Sequence, residues 1–234
     1  LPEGDGPAPL IVYPHGGPHG PADLWEFDSD VQLFANRGYA VLQVNFRGSG
    51  YFGSKFRRAG YREWGGKMID DIIAATDWAV TKPEVDGSRV CAYGASYGAY
   101  ASYMLAIREP ELLNCVAGYV GVYDLEMMYT KGDIPKGWGG VGYLERVIGR
   151  DEAQLREFSP VHHADKIKAP MLLVHGDADI RAPIDHAKRM RKAIRDAGKQ
   201  VEYIEIDQSG HGAYSMKSKM ELYEGLLGFL ETHL

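Results

Sequence analysis

Short apolar runs recur along the chain at 10–13, 40–44, 90–93, 115–120, 171–174 and 201–206. They are rich in β-branched residues, and none alternates cleanly with polar positions over a long span. Strands buried on both faces read this way, so the runs predict a parallel sheet covered by helices. Helical periodicity fills the intervals at 28–36, 67–80, 97–108, 185–197 and 214–230. In the second of these the apolar positions are 68, 72, 75 and 79. Arg37-Gly38, Glu109-Pro110 and Gly198 supply stop signals. Strand and helix alternating in this manner predict a doubly wound α/β fold. The stretch 124–160 breaks the rhythm and is too long for a bare loop in a compact domain. It predicts a helical insertion over the sheet edge, within one domain spanning 1–234.

Composition narrows the function classes. Hydrophobic residues make up 45% of the 234, which is enough for a packed core and excludes a disordered chain. The formal charge is -6 and no Lys/Arg stripe stands out, so nucleic acid is not an expected partner. The uncharged run 90–107 has the length of a membrane span, yet it holds Gly94, Ser96, Gly98 and Ser102. It reads instead as a buried strand and helix joined by a tight turn, and no membrane association is expected. Cys91 and Cys115 lie in apolar runs, outside any CxxC or Cys/His cluster. Two buried free thiols are expected, with no disulfide between them. The front of the chain has no basic segment and no apolar signal core. The compartment is left open, with the cytoplasm favoured.

The strongest chemical signal is Gly94-Ala95-Ser96-Tyr97-Gly98. It follows an apolar run and opens an apolar helix, the context a nucleophile elbow requires. A serine hydroxyl needs a base to take its proton, and that base needs an orienting acid. His211, in Gly210-His211-Gly212, follows the strand run 201–206 and so sits where α/β sheets put their chemistry. The run 171–174 leads into His175-Gly176-Asp177-Ala178-Asp179, where two carboxylates compete as the acid. Both remain open on this pattern alone, and the loser caps the turn or pairs with Arg181.

A tetrahedral intermediate needs backbone donors aimed at its oxyanion. The Tyr97 N–H, just after the serine, is one candidate. The other lies in His15-Gly16-Gly17-Pro18-His19-Gly20, where Pro18 has no N–H and Gly17 is the better placed. His15 and His19 have the spacing of a helical metal pair, but Gly-Gly-Pro between them forbids the helix, so no metal is expected. Arg47, in Asn45-Phe46-Arg47-Gly48-Ser49, reads as a structural tie between loops. Met127, Met128, Tyr129 and Trp138, in the inserted stretch, are expected with Tyr97 to line an apolar acyl pocket.

Taken in order, these pieces resemble the catalytic α/β-hydrolase domain of the prolyl oligopeptidase family of serine peptidases. The acylaminoacyl-peptidase and dipeptidyl-aminopeptidase-like branch is the most similar. Glu63-Trp64-Gly65-Gly66, Ser159-Pro160 and Ala169-Pro170 extend the likeness over nearly the whole chain. The resemblance implies Ser96 as nucleophile, His211 as base and Asp179, rather than Asp177, as acid. It implies Gly17 and Tyr97 as oxyanion donors, no cofactor, and short peptides as substrates. Carboxylesterase action on small esters, or a scaffold without catalysis, are the alternative readings. Against the family pattern, the 14 residues before His15 are expected to be too few for the first two sheet strands, which are then lost, supplied otherwise or outside a fragment. No N-terminal propeller is expected within this stretch. An uncovered edge at 40–44 is therefore expected, together with self-association or pairing with an N-terminal segment.

Overall fold

A computed structural model describes residues 1–4 and 6–234. Among the described residues, six strands form one sheet: β1 (Ala8–Tyr13), β2 (Ala40–Gln43), β3 (Val85–Ala95), β4 (Cys115–Tyr119), β5 (Met171–Gly176) and β6 (Glu202–Ile206). Their spatial order is β2-β1-β3-β4-β5-β6 and every pairing is parallel. Eight α-helices among the described residues cover it: α1 (Ser29–Asn36), α2 (Gly53–Ala59), α3 (Lys67–Ala79), α4 (Tyr97–Arg108), α5 (Gly140–Val147), α6 (Glu152–Glu157), α7 (Asp185–Asp196) and α8 (Met216–His233). This is the expected α/β arrangement, with the apolar runs as its strands.

Alternate strand residues feed two cores. Leu10, Val12, Ala92, Val116 and Leu173 pack with Ile72 of α3 and Tyr100 of α4 on one face. Ile11, Cys91, Cys115, Ala117, Leu172 and Val174 pack with Phe34 of α1 and Leu226 of α8 on the other. Helix α4 is buried from Tyr97 to Ile107, because it lies between the sheet and its neighbouring helices. The uncharged run 90–107 is thus the end of β3, a turn and α4. Among the described residues no helix is long and apolar enough to cross a membrane.

The expectation of two free thiols is corrected. Cys91 and Cys115 are disulfide-bonded. They are direct partners in the β3–β4 register, with Cα atoms 4.7 Å apart. Both point to the same sheet face. In a parallel pair, residues in register share a face, so face and spacing agree.

The stretch 124–160 carries two 3-10 turns, Met127–Tyr129 and Ile134–Lys136, followed by α5 and α6. Strand β2 ends the sheet, and among the described residues no strand pairs with its outer side.

Candidate active site

Strand β3 runs into α4 through Ser96, whose backbone is held at φ 58 and ψ -118. A positive φ at a side-chain-bearing residue costs about 1–3 kcal/mol and persists where the surroundings enforce it. Here they do. A Cβ on Gly94 would stand 2.5 Å from the Gly98 carbonyl carbon, and one on Gly98 would run into the Pro14 carbonyl oxygen. The two glycines let strand, helix and the β1 loop close on one another. The Ser96 N–H is fixed by the Tyr119 carbonyl at 2.9 Å. The hydroxyl is left projecting at the carboxyl end of the sheet.

His211 Nε2 lies 2.9 Å from Ser96 Oγ, and its Nδ1 lies 2.7 Å from Asp179 Oδ2. The loop after β6 delivers the ring, and the loop after β5 delivers the acid. The two loops are tied directly: Asp177 N–H donates to the Ile206 carbonyl at 3.1 Å and Ala178 N–H to the Ser209 carbonyl at 3.0 Å. Gly176 allows this approach, since a Cβ there would collide with the Ser209 carbonyl. The Asp179 side chain is fully buried. Its Oδ1 accepts from Arg181 N–H at 2.8 Å and Ala182 N–H at 3.0 Å, so three hydrogen bonds offset its desolvation. Asp177 is exposed. Buried His175 donates from Nε2 to the Ala182 carbonyl at 2.7 Å, and burial lowers its pKa, which keeps it neutral beside Asp179.

The loop after β1 approaches the serine from the other side. A Cβ on Gly16 would meet the Ala95 carbonyl at 3.1 Å and the Ser96 Cβ at 3.6 Å. Gly17 has φ 118, which suits glycine alone. Tyr97 is the first residue of α4, where helical N–H groups have no partner within the helix. Arg47 grips Asp71 of α3 with Nε at 2.8 Å and a second nitrogen at 2.6 Å, and ties the loop after β2 to that helix.

These groups open into a cleft of about 710 Å³. Gly17, Ser96, Tyr97, Met128, Trp138 and His211 are among its walls. Met127 and Tyr129, expected there, are not: a 3-10 turn sends its three side chains in different directions, so Met128 alone faces the cleft. Tyr129 instead donates its hydroxyl to the Gly149 carbonyl. Sequence reading missed Val122, Ile134 and Tyr143, whose apolar character looks like any core position. It also missed the cleft-lining pair Arg181–Asp133, at 2.8 Å. Arg181 thus pairs with the inserted segment and not with Asp177.

The chain matches the Prolyl oligopeptidase family over residues 25–234. It is 36% identical over 216 residues to the dipeptidyl aminopeptidase BIII of Pseudoxanthomonas mexicana, covering 89% of this chain and 31% of that protein. Dipeptidyl peptidase family member 6 of Caenorhabditis elegans is 33% identical over 235 residues, 97% of this chain and 31% of that protein. The solved acylaminoacyl peptidase of Pyrococcus horikoshii aligns with a TM-score of 0.91 at 28% identity, over 100% of this chain and 38% of that one. The chain therefore spans about a third of the length of the curated relatives it matches, 31% in both cases above.

Proposed function

Because the chain belongs to the prolyl oligopeptidase family, we propose that it cleaves short peptides by acyl transfer through Ser96, His211 and Asp179. The observation that carries this reading is the imidazole of His211 spanning Ser96 Oγ and a buried carboxylate at 2.9 and 2.7 Å. With Nδ1–H donating to Asp179, Nε2 keeps a lone pair for the serine proton. Ser96 Oγ bonds to the scissile carbonyl carbon while its proton passes to Nε2. The oxyanion takes hydrogen bonds from the Gly17 and Tyr97 N–H groups. His211 then returns the proton to the leaving amine and the C–N bond breaks. Water, deprotonated by the same base, attacks the acyl-enzyme and releases the acid.

The walls of the cleft support an apolar acyl side chain, seated among Val122, Met128, Ile134 and Tyr143. A chromogenic peptide amide series with varied acyl-side residues tests this. Large apolar residues should give the highest kcat/KM, and an ester-only activity with no amide cleavage would overturn the peptidase reading. The uncovered outer side of β2 is proposed to pair with a second copy or an N-terminal segment. Light scattering that shows a monomer at all concentrations would argue against the copy.

A further inference from the structure

The loop carrying Gly17 lies outside helix and strand, and its two adjacent glycines, Gly16 and Gly17, have little stiffness of their own. Yet an oxyanion donor must be placed to within a few tenths of an ångström. His19, two residues further on, ties this loop to the rest of the site. Its Nδ1 lies 3.1 Å from the Gly48 carbonyl, and its Nε2 receives the Trp64 indole N–H at 3.1 Å. A carbonyl only accepts and an indole N–H only donates, so the partners fix the tautomer: Nδ1 carries the proton and Nε2 the lone pair. Burial supports this by lowering the imidazole to about 4. Trp64 then reaches the other half of the site. Its carbonyl accepts the Tyr97 hydroxyl at 3.0 Å, and its ring meets the Tyr97 ring edge-on with centroids 4.9 Å apart. The fit is close on the remaining side too, since a Cβ on Gly48 would stand 3.1 Å from the His19 ring.

We propose that His19 is a positioning residue for the oxyanion hole, fixing Gly17 relative to Tyr97 through the chain His19–Trp64–Tyr97. The inference rests on the assignment of Gly17 and Tyr97 as oxyanion donors. His19 itself touches no reacting atom. Its effect is confined to the state in which the oxyanion exists, so it acts on kcat and not on substrate affinity.

Three substitutions separate this role from simple packing. Gln at position 19 can present an oxygen near the Nε2 position and keep the Trp64 link. Asn can present an amide near the Nδ1 position and keep only the Gly48 link, and Phe keeps neither. The readouts are kcat and KM on one peptide amide, and inhibition by a peptide boronic acid, whose tetrahedral adduct occupies the oxyanion hole. His19→Phe and His19→Asn should lower kcat by roughly 10–100-fold, with KM within about twofold. Boronic acid affinity should weaken by a similar factor, and His19→Gln should recover most of both. Unchanged kcat in His19→Asn, or a loss that appears in KM alone, would overturn the proposal. So would equal behaviour of Gln and Asn. If the Ser96→Ala variant cleaves peptides as well as the wild type, the functional reading fails and this one with it. An active, Ser96-dependent wild type with an unaltered His19→Asn variant overturns this inference alone.

Discussion

Asp179 meets His211 through one oxygen only. Its Oδ2 takes the imidazole Nδ1–H at 2.7 Å, while Oδ1 is held by the N–H groups of Arg181 and Ala182. The division matters for a test. In Asp179→Asn the backbone donors claim the amide oxygen, so the NH₂ group turns toward His211. Nδ1 then has to accept, the ring proton moves to Nε2, and no lone pair faces Ser96. Under the proposed mechanism kcat falls by roughly 10⁴-fold. Asp177→Asn, at an exposed position, should stay within a few-fold of wild type. Steady-state kinetics of the two variants side by side checks this.

The glycines of the chain predict opposite effects by position. Gly98→Ala forces a methyl group into the Pro14 carbonyl and should destabilise the protein by about 1–3 kcal/mol while displacing Ser96. Gly228 lies on the exposed side of α8, and a Cβ there meets nothing within 4 Å. Gly228→Ala should stabilise by about 0.5–1 kcal/mol, because glycine carries the larger entropy loss in a helix. Urea unfolding of both variants gives the sign directly.

A pH dependence of stability follows from the buried histidines. His186, on α7, accepts the Tyr123 N–H at 3.3 Å through Nδ1, and burial lowers it from 6.5 to about 4. Burial lowers His15 and His175 as well. A depressed folded-state pKa means that the unfolded chain binds the proton first. The stability is therefore complete above pH 6.5 and is lost as the pH falls toward about 4. The span from 6.5 to about 4 at His186 corresponds to about 3 kcal/mol once fully titrated. His186→Asn, which retains an acceptor for Tyr123, should flatten the decline between pH 6.5 and 4.5 in a urea series. An equally steep decline in the variant would refute the assignment.

The sheet was legible because its central strands β4 and β5 are buried along their whole length, and such strands stay apolar whatever their neighbours. What escaped was set by other forces. Helix α2 buries none of its residues, so no apolar stripe marks it. Strand β3 begins at Val85, well before the apolar run. Its first part pairs with β1 across a register shift between Pro9 and Leu10, which leaves Gly87, Ser88 and Arg89 in an irregular stretch that reads as loop. The disulfide depended on register, which no single strand encodes. At the site, Ser96 and His211 stood out because each sits just past a recognisable strand. The acid was narrowed by position only to Asp177 or Asp179, and to Asp179 by the family resemblance. The structure places Asp179 and Ser96 on either side of the His211 ring. The inserted segment gave no such guide. Its 3-10 turns have no face-defining period, so the choice of Met128 over Met127 and Tyr129 could not be read. The pairing of Arg181 with Asp133 was hidden for another reason: its partners come from segments 48 residues apart in the chain.

The most direct test of the account is a fluorophosphonate, which reacts with a serine only where a base and an oxyanion hole act together. Labelled protein should gain a single adduct, and tandem mass spectrometry should place it on Ser96. Ser96→Ala should take up none, with the fold intact by circular dichroism. Stoichiometric labelling of any other residue, or labelling that persists in Ser96→Ala, would contradict the central claim.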